Sequence, residues 1–165
     1  MAPLALVTDP GRMAWLKAAA IGAALLVVPL AWWTALSLAG VRMPAPGPSP
    51  LSMAMIVAAA ILVAPLIETA ALAVLHWLVA VLLRAPVALF VAAAVAAAVA
   101  AHLPLTLVRT PVTAAIFLVF ALQYAGWHAA RGWRTAFLGT ALAHGVYNAG
   151  SLALSPVFAF LLRPA

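Results

Sequence analysis

The sequence predicts an all-α protein, a polytopic transmembrane helical bundle of about five spans with one long kinked helix. Three observations lead there. Of the 165 residues, 69% are hydrophobic and 6% charged, whereas soluble domains carry about 45–50% and about 25%. The mean hydropathy is +1.25. Finally, the apolar residues fall in runs of roughly the 20 residues that a membrane helix needs, separated by short segments holding Pro, Gly and Arg.

The charge balance narrows the class further. Two acids, Asp9 and Glu68, face eight Lys and Arg, for a net charge of +6. So few charges cannot cover a water-soluble globule, a disordered tail would be polar, and a coiled coil would need charged flanks. The cations stand singly or in pairs at the ends of apolar runs, as lipid headgroups and cytoplasmic loops require, not in a stripe that tracks phosphates. The partner is a lipid bilayer and not nucleic acid. Without cysteine there is no disulfide, thiol nucleophile or cysteine metal site.

The first span is expected from Ala14 to Ala39, with Trp32 and Trp33 as interfacial anchors. It is longer than the roughly 7–15-residue core of a cleaved signal, so it reads as retained. From Arg42 to Pro50, alternating prolines predict a stiff extended loop. This segment divides the chain into residues 1–50, one span and a Pro-rich loop, and residues 51–165, the remaining helices.

Leu51 to Leu83 is one apolar stretch, about 50 Å long if helical throughout. That exceeds the ~30 Å hydrocarbon core, so the helix must tilt, protrude or break. Pro65 removes a helix hydrogen bond and marks the expected kink. The third span is placed at Pro86–Leu103, before a turn with Pro104, Arg109 and Pro111. The fourth is placed at Val112–Ala129, before a turn of Arg131, Gly132, Trp133 and Arg134. The fifth is placed at Thr135–Leu154, with a short apolar tail from Pro156. No internal repeat is visible. Arg12, Lys17, Arg84, Arg131 and Arg134 then fall on one side, and Arg42, Arg109 and Arg163 on the other. The bias places the N-terminus in the cytoplasm, with a plasma-type membrane as the default location.

In such a chain the polar residues inside spans carry the functional information, because an ionisable group at the bilayer centre costs roughly 2.5 kcal/mol or more. Glu68 is the only carboxylate within a span. It is either a protonated acid bonded to a neighbouring helix, or a base or proton carrier in a wet cavity. His144 and the chain's one Asn, Asn148, are four apart and share a helix face. His102 closes the third span. Together they place one Glu, two His and one Asn on three helices with little else to pair with, and a shared interior site is the economical account. His76 lies about 80° off the face of Glu68 and His128 sits beside Trp127 at a helix end, so both read as structural. Thr69, Gln123, Tyr124 and Tyr147 are supporting donors.

The order of these residues resembles the CPBP family, the CAAX-protease and bacteriocin-processing group also called the Abi family. Its first motif is a Glu-Glu pair after Ala-Pro-x-x, with Arg four residues on. Here it reads Ala64-Pro65-Leu66-Ile67-Glu68-Thr69, with Ala73 at the Arg position. The second motif, a His closing a span with Phe four residues earlier, is His102 with Ala98. The third, His-x-x-x-Asn in a late helix, is His144 to Asn148, preceded by Gly132-Trp133-Arg134-Thr135. The resemblance covers Leu51 to Leu154 and makes residues 51–165 a CPBP-like catalytic core.

The resemblance implies a membrane endopeptidase acting on a peptide or membrane-protein substrate. Glu68 with His102 would hold and deprotonate a water, and His144 with Asn148 would stabilise the oxyanion. Neutral donors suit that task because they bring no net charge into a low-dielectric site. In the metal variant, Glu68, His102 and His144 would ligate zinc, with water in the fourth position. Two other classes stay open. One is a catalytically degenerate relative that binds hydrophobic peptides as an immunity or chaperone-like factor. The other is a proton-coupled transporter using Glu68, which the lack of an inverted repeat disfavours.

Overall fold

A computed structural model describes residues 3–41, 52–103 and 107–161. The Arg42–Pro50 loop, the Pro104 position and Arg163 lie outside them. Every regular element among the described residues is helical. A short helix α1 (Pro3–Thr8) precedes α2 (Ala14–Ala24) and α3 (Val27–Leu38). Then come α4 (Met53–Leu82), α5 (Val87–His102), α6 (Thr110–Arg131) and α7 (Trp133–Leu161). Among the described residues three rods are long and apolar enough to cross a membrane: Ala14–Leu38, Met53–Leu82 and Thr110–Arg131. The chain is an integral membrane protein built as an all-α bundle.

Proline accounts for the irregularities. The first span breaks between α2 and α3, which the sequence reading did not anticipate. Pro29 has no N–H to give the Leu25 carbonyl, and Val28 bonds it instead at 3.1 Å in a tighter turn. In α4 the interruption falls where Pro65 predicts it, but it takes the form of a π-helical turn, Ala59–Val63, just before the proline. A second π turn, Trp77–Leu82, ends the same helix, and Arg84 follows with φ +51°. Pro111 sits in the first turn of α6, where its missing N–H costs nothing.

Two expectations need correction. The link between α6 and α7 is one residue, Gly132 at φ +79°, because Trp133 already starts the next helix. The last helix also runs through Pro156 to Leu161 instead of stopping before it. The tryptophans differ from expectation as well. Trp33 is buried, and Trp32 donates Nε1–H to the Val108 carbonyl at 2.8 Å, tying α3 to the segment before α6.

Helix α6 is the centre of the bundle. Half of its apolar stretch is buried in protein, against 17% for α4, whose outer faces are left to lipid. α5 and α7 flank α6, α2 packs on α7, and α1 lies on α6. Lipid gives helices no hydrophobic reason to associate, so close approach of backbones has to supply the contact. Ala18 and Gly22 meet α7 in this way: a Cβ on Gly22 would collide with the Ala143 carbonyl. At the other side Trp127 donates to the Val7 carbonyl at 2.9 Å and seats α1. Lys17 bonds the carbonyls of Ala5 and Asp9, and Arg131 that of Gly11. The start of the chain and the α6–α7 turn are thus held at one end.

Candidate active site

Glu68 lies in the α-helical part of α4, and α7 carries His144 to meet it. His144 Nε2 and Glu68 Oε2 are 3.7 Å apart, with His144 almost wholly buried and Glu68 about a quarter exposed. At that separation the two groups face each other without a formed hydrogen bond, and Glu68 Oε2 has no other protein partner. The imidazole is fixed from the side by α6: Phe120 lies over it at 4.7 Å between ring centres, and Phe117 meets it edge-on at 5.9 Å.

His102, at the end of α5, also packs against Phe117, with ring centres 5.9 Å apart. Its Nδ1 is 2.8 Å from the Ala98 carbonyl one turn back. A carbonyl only accepts, so the bond requires the proton on Nδ1, and in the neutral ring it leaves Nε2 with a lone pair. His102 is within electrostatic range of both Glu68 and His144. The structure therefore brings Glu68, His102 and His144 into one neighbourhood from three helices. Among the described residues no three His, Asp or Glu side chains are grouped so as to hold one metal ion. Zinc ligation by Glu68, His102 and His144 does not fit this arrangement.

Asn148 is placed differently from the expectation. Its Nδ2 donates to the Ala60 carbonyl at 2.7 Å. In the π turn the Ala64 N–H bonds the Ala59 carbonyl, five residues back. The next donor in that register belongs to Pro65, which has none, so the Ala60 carbonyl is left open and Asn148 fills it. The residue thus holds α7 to α4, with one amide hydrogen still uncommitted.

The supporting donors divide. Thr69 and Gln123 are fully buried. Tyr147 lies against Phe120 on the site side, with ring centres 6.5 Å apart. Tyr124 belongs elsewhere: it packs on His76 at 5.4 Å and stacks with His128 at 6.1 Å. His76 and His128, which the sequence places on separate helices, have ring centres 4.5 Å apart, and Phe90 closes that group edge-on to His76 at 4.9 Å. Nothing in the residue pattern flags this second imidazole cluster or the two phenylalanines around His144. Thr140, also fully buried, was detectable: it stands one turn before His144 on the same face.

No protein-family model, curated protein or solved structure matches the chain.

Proposed function

We propose that the protein is a membrane endopeptidase of the CPBP type, hydrolysing a peptide or membrane-protein segment with water activated at Glu68. The observation that carries this reading is the 3.7 Å approach of Glu68 and His144 from different helices, within electrostatic range of His102. Glu68 and the Nε2 lone pair of His102 supply two bases for one water. His144, held between two phenylalanine rings, supplies a neutral N–H for the developing oxyanion. Such preorganised donors act most strongly where water is scarce. Asn148 serves here first as the strut that positions His144, and its second amide hydrogen is the part left for substrate.

Leu66 and Ile67, next to Glu68, are exposed on the outside of the bundle, so the acid lies one residue from the lipid-facing surface. A substrate arriving within the bilayer suits that placement, in a plasma-type membrane with the N-terminus in the cytoplasm. The common end of Arg12, Lys17, Arg131 and Arg134 would then face the cytoplasm.

The engagement of Asn148 with Ala60, together with Thr69, Ala73 and Ala98 where the family pattern has Glu, Arg and Phe, favours one second reading. In it the same pocket binds a hydrophobic peptide without cleaving it. The deciding experiment is a survey of peptide N- and C-termini in membranes of the native host making wild-type protein or Glu68→Gln at matched levels. New termini that depend on Glu68 support hydrolysis. Identical surveys, with both forms inserted and folded, sink it in favour of binding.

A further inference from the structure

Cations from distant parts of the chain gather at one end of the bundle. Arg131 Nη2 lies 3.4 Å from the Gly11 carbonyl, so the α1–α2 link, with Arg12 next in sequence, meets the α6–α7 turn. Arg134 follows that turn, with its guanidinium 5.6 Å over the Trp133 ring. Helix register adds Arg84. Glu68 and Phe120 both meet His144, and His76 meets His128, so α4 and α6 run parallel. Arg84 then lies about 12 Å beyond the imidazole pair, in the direction of Arg131. Arg109 lies about 16 Å before Phe120, at the opposite end.

This end has no matching negative charge. The chain's acids are Asp9 and Glu68, and Glu68 faces His144 inside the bundle. Asp9 turns Oδ1 to the Gly11 N–H at 3.0 Å. Among the described residues no Lys or Arg comes within ion-pair distance of a carboxylate. Lys17 is spent on the main-chain carbonyls of Ala5 and Asp9. Arg12, Arg131 and Arg134 are exposed, and the contact of Arg131 with Gly11 leaves most of its five N–H donors open. Trp15 and Trp133, beside these arginines in the chain, are 52% and 59% exposed. Exposed indoles favour the headgroup level of a bilayer.

Like charges held together repel one another, and lipid phosphate is the counter-charge that headgroup depth supplies. Guanidinium groups grip phosphate oxygens with paired, charge-assisted hydrogen bonds. We infer that Arg12, Arg131 and Arg134 form a binding site for the headgroup of an anionic phospholipid, whose phosphate joins the α1–α2 link to the α6–α7 turn. A zwitterionic lipid suits the site less, because its own ammonium would stand among the arginines. The anionic lipid takes the place of the missing carboxylates. The start of the chain is then held by lipid as well as by Trp127. This surface has no part in the hydrolytic reading and stands or falls independently of it.

The test places the full-length chain in nanodiscs of phosphatidylcholine, alone or mixed with phosphatidylglycerol. Amide hydrogen exchange over residues 3–12 should slow by about five-fold or more when phosphatidylglycerol is present. The Arg12→Gln, Arg134→Gln double variant changes two exposed side chains. It should abolish that difference while the other helices keep wild-type protection. Arg109→Gln removes charge from the opposite end and should leave the difference intact. Equal exchange of the wild type in both bilayers overturns the proposal, and so does a difference that survives the double variant. A loss in Arg109→Gln as large as in the double variant would also overturn it, reducing the effect to net charge. So would slowing produced by inorganic phosphate in phosphatidylcholine alone, since the anion would then come from solution and not from lipid.

Discussion

Asn148 and Ala60 are joined across two helices by a 2.7 Å hydrogen bond that exists because Pro65 cannot make it. The proline opens a carbonyl in α4, and the chain's one Asn, arriving on α7, closes it. Asn148→Ala should therefore destabilise the protein by about 1–3 kcal/mol, the cost of stranding a buried acceptor. Thermal unfolding in nanodiscs measures this. An unchanged midpoint would assign Asn148 to substrate alone.

Restoring the missing donor should remove the need for the strut. In Pro65→Ala the backbone regains an N–H near Ala60, so adding Asn148→Ala should cost less than it does in the wild type. The double-mutant cycle is expected to show at least about 0.5 kcal/mol of coupling, the level that separates interacting from independent sites. Strict additivity would mean that Pro65 does not create the open carbonyl.

Glu68 should matter for chemistry and not for folding. Its Oε2 is buried without a formed hydrogen bond, so removing it breaks no bond and relieves the cost of an unsatisfied buried polar group, about 1–3 kcal/mol. Glu68→Leu should keep or raise the thermal midpoint while the Glu68-dependent peptide termini vanish. A large loss of stability would make the acid a structural residue.

Much of the fold was legible, for reasons that particular residues make plain. Apolar runs of membrane length locate the helices because lipid leaves a backbone few alternatives, and Pro65 and Pro111 mark an interruption and a start. Pro29 carries no comparable signal, because it stands within an uninterrupted apolar run where no change of composition flags it. For the site, Glu68, His102 and His144 were visible as costly exceptions in lipid. The role of Asn148 was not, because its partner is a main-chain carbonyl, which has no sequence signature. The meeting of His76 with His128 was equally hidden: it depends on how α4 and α6 align, and each helix taken alone carries one unremarkable imidazole.

Packing predictions follow from the closest contacts. Gly22→Ala drives a methyl into the Ala143 carbonyl, a main-chain atom that cannot swing aside. The expected cost is about 1–3 kcal/mol, the usual range for overpacking, read again from the thermal midpoint. No change would mean that α2 and α7 can separate freely.

Trp127→Phe removes the Nε1–H that holds the Val7 carbonyl. The loss is about 1 kcal/mol and local. Amide hydrogen exchange should quicken over residues 3–12 while the remaining helices keep their protection. Equal acceleration everywhere would instead make the ring a keystone of the whole bundle.

The one-residue joint at Gly132 has a consequence for biogenesis. Helix α7 carries Thr140, His144 and Asn148 and does not reach the apolarity of the three strongest spans, so entering lipid alone would leave its polar face unsheltered. Tied to α6 by a single glycine, it cannot lag behind. In the five-span arrangement expected from the sequence, the two helices enter the bilayer as a hairpin. The polar residues of α7 then enter together with α6 and not on their own.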